Sequence, residues 1–131
     1  AVNLDDSFRV NAMGPFLLTQ ALAPRLADGA RVANITSQLG SIANTTRFGT
    51  PSYNISKAAQ NMATALLAAA LRERGIVVVA LHPGWVQTDM GGAGATVTPE
   101  QSVSGLLRVI GGLKQADSGR FLDWRGQSLP W

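Results

Sequence analysis

A chain of 131 residues with 46% hydrophobic and 15% charged residues can bury a core as one domain spanning residues 1–131, and this balance excludes a disordered segment. The net charge of +3 comes from scattered Lys and Arg, the densest cluster, Arg72-Glu73-Arg74, being interrupted by an acid, so no nucleic-acid partner is expected. Cysteine is absent and His82 is the single histidine, which excludes disulfides, thiolate metal sites and His-rich metal sites and fits a cytoplasmic location.

The chain opens Ala-Val-Asn-Leu-Asp-Asp without a basic n-region or an apolar h-region, so no signal peptide is expected; it also does not open with Met, consistent with a processed terminus or a piece of a longer protein. Apolar residues at helical spacing run from Phe8 to Leu26. Asp5, Asp6 and Ser7 suit the cap and first turn of that helix. Pro15 should bend it or follow a turn that is already irregular, and Pro24 with Asp28-Gly29 should close it. Arg31 to Ser37 is β-branched and bounded by glycines, and predicts a strand. Residues 38–50 are rich in Gly, Ser, Asn and Thr and predict a loop.

Pro51-Ser52 should open a long helix through Arg74, ended by Gly75. Within it, Met62 to Leu71 is the longest apolar stretch, too short and mixed to span a bilayer, so no membrane partner is expected. Ile76 to Leu81 is continuously apolar, as a strand covered on both faces requires. His82-Pro83-Gly84 breaks that strand, and residues 84–97 predict a mobile loop. Thr98-Pro99 predicts the capped start of a helix that runs to Ile110, and Arg120 to Asp123 predicts a short last strand. Strands alternating with helices imply crossover connections and a parallel sheet with helices packed on it.

Chemistry concentrates at a few positions. Tyr53 and Lys57 are four residues apart and share one face of the predicted helix. An ammonium beside a phenol favours the phenolate and should draw the Tyr acidity from about 10 toward neutrality, which suits proton exchange with an alcohol or alkoxide. Taken alone, this pair also fits an unremarkable surface helix. Ser37, at the carboxyl end of a predicted strand, and His82 to Asp89, after the next one, belong to the same rim, where ligands bind in open α/β sheets. Asn11 precedes the first strand on its helix and fits either a polar site residue or the filler of a helix kink.

In chain order, Asn11-Ala-Met-Gly14, Asn34-Ile-Thr-Ser37, Tyr53-Asn-Ile-Ser-Lys57 and Pro83-Gly-Trp-Val-Gln-Thr88 resemble the motifs of the second half of the short-chain dehydrogenase/reductase family, across nearly the whole chain. The stretches Ala80 to Met90 and Gly119 to Gly126, with Pro130-Trp131, are similar to the C-factor/sniffer branch of carbonyl reductases. The resemblance implies a partial Rossmann-type, doubly wound α/β fold: the last three parallel strands with flanking helices. It implies oxidoreduction of a carbonyl or alcohol with NAD or NADP. Tyr53 would be the general acid/base, Lys57 its partner and a ligand of the nicotinamide ribose, Ser37 the residue orienting the carbonyl, and Asn11 the holder of a relay water. Pro83, Gly84, Val86 and Thr88 would line the nicotinamide, with Trp85 and Met90 on a substrate-covering loop. His82 would be structural. The Ser37-to-Tyr53 interval of sixteen positions is longer than usual for the family, and the extra residues should lengthen the Asn44-Thr45-Thr46 loop beside the substrate.

The family's TGxxxGxG turn and its Asn-Asn-Ala-Gly strand end do not occur in this chain, and Gly91-Gly-Ala-Gly94 does not follow a strand as a dinucleotide turn must. NAD or NADP preference is therefore unreadable. The N-terminal βαβ half being absent, the first strand should be an open edge that seeks a partner surface: a second copy, a separate N-terminal half, or residues outside this sequence. The resemblance separately implies a dimer or tetramer packed through the long helices, Phe8–Leu26 and Tyr53–Arg74. A truncated, non-catalytic subunit that acts by binding is the alternative. A serine hydrolase built on Ser37 is disfavoured because no GxSxG elbow surrounds it.

Overall fold

The computed structural model describes residues 2–131. Three parallel strands, β1 (Arg31–Ile35), β2 (Val77–His82) and β3 (Phe121–Asp123), form a sheet in the order β1-β2-β3. Ala33 pairs with Val79, and His82 with Asp123, so the carboxyl ends of all three strands share one rim. Two short helices, α1 (Val2–Phe8) and α2 (Gly14–Leu22), precede β1; α3 (Pro51–Leu71) joins β1 to β2, and α4 (Pro99–Gly111) joins β2 to β3.

The apolar run of β2 is buried throughout because its alternate side chains face different layers. Val78 packs with Leu67, Ala68 and Leu71 of α3, and Phe16, Leu26 and Val32 adjoin them. Val77, Val79 and Leu81 point the other way, toward Leu113 and Leu122, with Leu106, Val109 and Ile110 of α4 against them. The result is an α/β/α sandwich, as expected from the alternation of elements.

Sequence signals at the element ends hold in several places. Thr98 and Gln101 cap α4 reciprocally, each side chain bonded to the other's backbone N–H. Gly75 ends the α3 segment at φ +67°. Two boundaries need correcting. The first helix begins at Val2, so Asp5 and Asp6 lie inside it, Asp5 pairing with Arg9 at 3.0 Å. Strand β1 stops at Ile35 rather than Ser37: the Thr36 N–H still bonds Leu81 O at 2.8 Å, but the chain then turns into a 3₁₀ segment, Gln38–Gly40.

The irregularity expected near Pro15 is a π-helical turn, Arg9–Met13, between α1 and α2. Proline cannot donate a hydrogen bond and crowds the carbonyl four residues back, here that of Asn11. The wider turn absorbs this, with the Gly14 N–H reaching the Arg9 carbonyl. Asn11 is thereby turned toward α3.

The two sheet edges differ. Along β3 the tail returns antiparallel: Leu129 N–H bonds Phe121 O at 2.8 Å and Asp123 N–H bonds Gln127 O at 2.9 Å. Trp131 then stacks on Phe121 with ring centroids 5.2 Å apart. Strand β1 pairs with β2 alone among the described residues. Beside its other edge lies an open apolar groove lined by Val10, Leu18, Leu22, Leu26, Val32 and Ala33. β1 is thus an edge strand of the sheet formed by the described residues.

Candidate active site

Tyr53 and Lys57 lie on the first turns of α3, and the Lys57 ammonium sits 5.6 Å from the centre of the Tyr53 ring. The ammonium also donates to the Ile35 carbonyl at 3.3 Å and to Gln60 Oε1 at 3.1 Å. Gln60 Nε2 donates to that same carbonyl at 3.1 Å. One strand-end carbonyl therefore anchors both side chains, two residues before Ser37. Burial pushes the Lys57 ammonium below the ordinary lysine range.

Ser37 occupies the bend after β1. Its Oγ accepts the Leu39 N–H at 3.1 Å, capping the short turn. The turn is pressed onto α3 at Gly40, where a Cβ would lie 2.9 Å from the Lys57 carbonyl carbon and 3.0 Å from Asn61 Nδ2. The turn is also tied to β2, since the Gln38 N–H donates to His82 Nδ1 at 3.2 Å. Burial pushes the His82 imidazolium down, with the nearby Asp123 carboxylate acting in the opposite direction.

Asn11 reaches the site indirectly. Its Nδ2 donates to Ser56 Oγ at 3.0 Å, and Ser56, fully buried, donates to the Tyr53 carbonyl at 2.8 Å. Asn11 thus braces the turn of α3 that carries the Tyr–Lys pair.

Pro83, Gly84, Val86 and Thr88 continue from the end of β2. The Pro83 carbonyl accepts from Ser102 Oγ of α4 at 2.6 Å. Gly84 has φ +88° and lies so close to Trp124 that a Cβ would meet its Nε1 at 2.9 Å. Val86 bridges to Val97, and Thr88 Oγ1 accepts the Gly91 N–H at 3.2 Å. The loop expected to be mobile is braced on itself, with Trp85 Nε1 donating to Gly91 O at 2.7 Å and Gln87 N–H to Val97 O at 2.7 Å. Trp85 is half-exposed and Met90 is 90% exposed.

The long loop between Ser37 and Tyr53 folds around a small polar hollow lined by Gln38, Ser41, Thr45, Arg47, Thr50 and Asn54. Ser37, Tyr53 and Lys57 do not form its wall. The C-terminal tail holds the loop: Ser41 Oγ donates to Pro130 O at 2.6 Å, and the Ile42 N–H bonds the Trp131 carbonyl.

The contacts of four contributors to the site went unpredicted. Gln60 looked like one more polar residue of a long helix. Gly40 looked like a loop glycine, and His82, expected on the rim as a structural residue, carries no mark of its contact with the Gln38 N–H. Thr50, at φ +43°, is the one non-glycine residue with positive φ among the described residues, and it sets the entry of α3 three residues before Tyr53. Such strain persists where surrounding contacts hold it; here Thr50 Oγ1 donates to Asn54 Oδ1 at 2.9 Å and Thr50 O accepts the Asn54 N–H at 3.0 Å.

A parallel α/β sheet flanked by helices defines a class of fold, and comparison with known proteins identifies the family. Residues 1–96 match the short chain dehydrogenase family, to which the chain belongs. It is 51% identical over 127 residues to C-signal of Myxococcus xanthus, covering 95% of this chain and 76% of that protein. It superposes on the carbonyl reductase Sniffer of D. melanogaster with a TM-score of 0.94 at 33% identity, covering 100% of this chain and 58% of that one. An NADPH-bound carbonyl reductase from chicken fatty liver gives a TM-score of 0.91 at 40% identity, with 98% of this chain and 57% of that one covered. Within the family, the chain is thus similar to the C-factor/sniffer carbonyl reductase branch, and it spans little more than half of those two structures. Among the described residues, no helix is long and apolar enough to cross a membrane, and no group of three or more potential metal ligands occurs.

Proposed function

We propose that this chain carries the catalytic site of an NAD(P)-dependent carbonyl reductase acting on a small carbonyl or alcohol. The observation that supports it best is the placement of Lys57 over the Tyr53 ring while bonded to the Ile35 carbonyl, two residues from Ser37. Tyr53 gives its phenolic proton to the carbonyl oxygen, and the Lys57 cation stabilises the negative charge left behind. The Ser37 hydroxyl orients that oxygen. Asn11, through Ser56, braces the turn of α3 that carries the Tyr–Lys pair, and in this reading it would also hold a relay water to Lys57.

A nicotinamide supplies the hydride when bound. The donor set fits its ribose end: two protein acceptors engage Lys57 among the described residues, and an ammonium has three donors. Pro83, Gly84, Val86 and Thr88 would lie along the nicotinamide, with Trp85 and Met90 covering the substrate. The pyrophosphate end has no glycine-rich turn in this chain, so whole-protein activity requires a further half. The open edge of β1 and its apolar groove support such a half or a second copy. The outward stripe Ile55, Met62 and Leu66 on α3, each more than half exposed, supports a dimer or tetramer through the long helices. A cytoplasmic location accords with this chemistry.

The same open edge also favours a second reading, a non-catalytic subunit that acts by binding. NAD(P)H oxidation with a carbonyl substrate, followed in the full-length protein, separates the two. Tyr53→Phe should lower kcat by about 10²- to 10⁴-fold, the usual contribution of a positioned acid. Turnover by the phenylalanine variant at the parent rate would remove Tyr53 from its role. A folded protein that neither binds nicotinamide nor turns over would leave the binding subunit.

A further inference from the structure

Among the groups the proposed chemistry leaves unused, His82 stands out by its contact. It is the last residue of β2, and its ring bonds the main chain of the turn that presents Ser37, at the Gln38 N–H. Gln38 opens a 3₁₀ turn, and the first amide donors of such a turn have no acceptor within it. Ser37 Oγ accepts from Leu39, and His82 Nδ1 takes the amide beside it. We propose that His82 is a positioning residue for Ser37, its neutral imidazole holding the Gln38 amide and so fixing the direction of the Ser37 hydroxyl. The proposal rests on the carbonyl-reductase reading for its effect on turnover, but not for the contact itself.

The chemistry of imidazole makes this contact a proton-sensitive one. To accept at Nδ1 the ring must be neutral with its proton on Nε2. A protonated ring has two donors and no acceptor, so Nδ1–H and the Gln38 N–H would face each other and the turn would come free. Burial of the ring favours the neutral form. The charged group acting on the ring is Asp123, paired with His82 in the sheet. That carboxylate is itself occupied, accepting the Arg125 and Gln127 N–H groups at 2.9 Å each and lying 3.5 Å from the Arg125 guanidinium. Residues 36–40 bring no charged side chain. Other charged residues on the segments reaching this rim are Lys57 of α3, committed to Ile35 and Gln60, Asp89 on the exposed loop after β2, and Glu100 in the exposed first turn of α4.

Two variants separate the contact from mere packing. Asparagine at 82 puts Oδ1 close to the position of Nδ1 and accepts a hydrogen bond at every pH; leucine fills the space without an acceptor. In the full-length protein, a long-range ¹⁵N–¹H spectrum should show His82 as the Nε2–H tautomer at neutral pH. Hydrogen exchange at the Gln38 amide should be slow in the parent and in His82→Asn, and faster by about tenfold or more in His82→Leu, as loss of one hydrogen bond implies. The parent kcat should fall on the acid side with the same midpoint as the His82 ring titration, His82→Asn should abolish that fall, and His82→Leu should be slow at all pH values with an unchanged cofactor KM. An Nδ1–H tautomer, or equal Gln38 exchange in the parent and His82→Leu, overturns the contact whether or not the protein turns over. A normal contact with identical kcat profiles in all three proteins overturns the positioning role alone. Absence of turnover in the parent, with tautomer and exchange as expected, counts against the carbonyl-reductase reading and leaves the contact standing.

Discussion

Replacing Gly40 by alanine tests whether the Ser37 turn and α3 are held in register by direct contact. The added Cβ would lie 2.9 Å from the Lys57 carbonyl carbon and 3.0 Å from both Lys57 Cβ and Asn61 Nδ2. The first of these atoms is main chain inside a helix and cannot swing away, so the turn must move instead. Overpacking of this kind costs about 1–3 kcal/mol. The displacement falls between Ser37 and Lys57, and a misplacement of about 1 Å between reacting groups can lower a rate about 100-fold. The comparison variant is Gly29→Ala. Gly29 has φ +79° with no atom within 4 Å of its added Cβ, so alanine there strains the backbone by about 1–2 kcal/mol and leaves the site untouched. Urea unfolding should therefore show similar losses for the two variants, while kcat should fall for Gly40→Ala alone. Equal kcat for the two variants would refute the reasoning, because the rate would then follow stability and not the register of turn and helix.

Two further outcomes follow from buried groups. Asn34 Nδ2 donates to Thr64 Oγ1 at 2.9 Å in the layer between β1 and α3, and Thr64 is fully buried. Thr64→Val should cost about 1–3 kcal/mol in urea unfolding by leaving the Asn34 amide without an acceptor, whereas the double variant with Asn34→Leu should recover most of the loss. Lys57 titrates below its ordinary value of 10.5 because it is buried, so the unfolded chain holds this proton where the folded one has released it. In the cofactor-free protein, stability relative to Lys57→Met should then rise as the pH climbs from the folded-state value toward 10.5, and stay flat below that window; a fall across it would contradict the burial of the ammonium.

What could be read from the sequence was mostly what a single element decides. The run Ile76 to Leu81 announces a strand covered on two faces because both layers must be apolar, and β2 is buried from Val77 to Leu81. Thr98-Pro99 marks the start of α4 because cap and first-turn preferences are local. Pro15 announces an irregular turn because its missing donor is local too, although the π form of that turn was not foreseeable. The start of the first helix was misread because Asp and Ser favour both the cap and the first turns, and nothing in Val2-Asn3-Leu4 forbids helix. The end of β1 was overshot because Thr36 is β-branched; what stops the strand is the turn that His82 and Gly40 hold from two other elements. Ser37, Tyr53 and Lys57 could be proposed because residue chemistry and order carry them. Gln60, Gly40 and Thr50 could not, and His82 could be given a structural place but not its contact, because each acts through a main-chain group brought close only by folding.

These supporting contacts share a feature that bears on the whole site. Lys57 and Gln60 both end on the Ile35 carbonyl, the Ser37 turn begins two residues later, and the pair Tyr53–Lys57 has its geometry measured from there. Ile35 belongs to the strand that pairs on one side only, and its own side chain is 45% exposed. A strand held by β2 alone is freer to shift along or away from the sheet than one clamped between two neighbours. Any such shift carries the Ile35 carbonyl with it and moves the lysine relative to the serine. Covering the open edge of β1 would therefore sharpen the Ser–Tyr–Lys geometry without touching any of the three side chains. Under the proposed function, cofactor binding and catalytic precision would then have one structural source: a surface that completed the dinucleotide fold would also fix the strand from which the lysine is aimed.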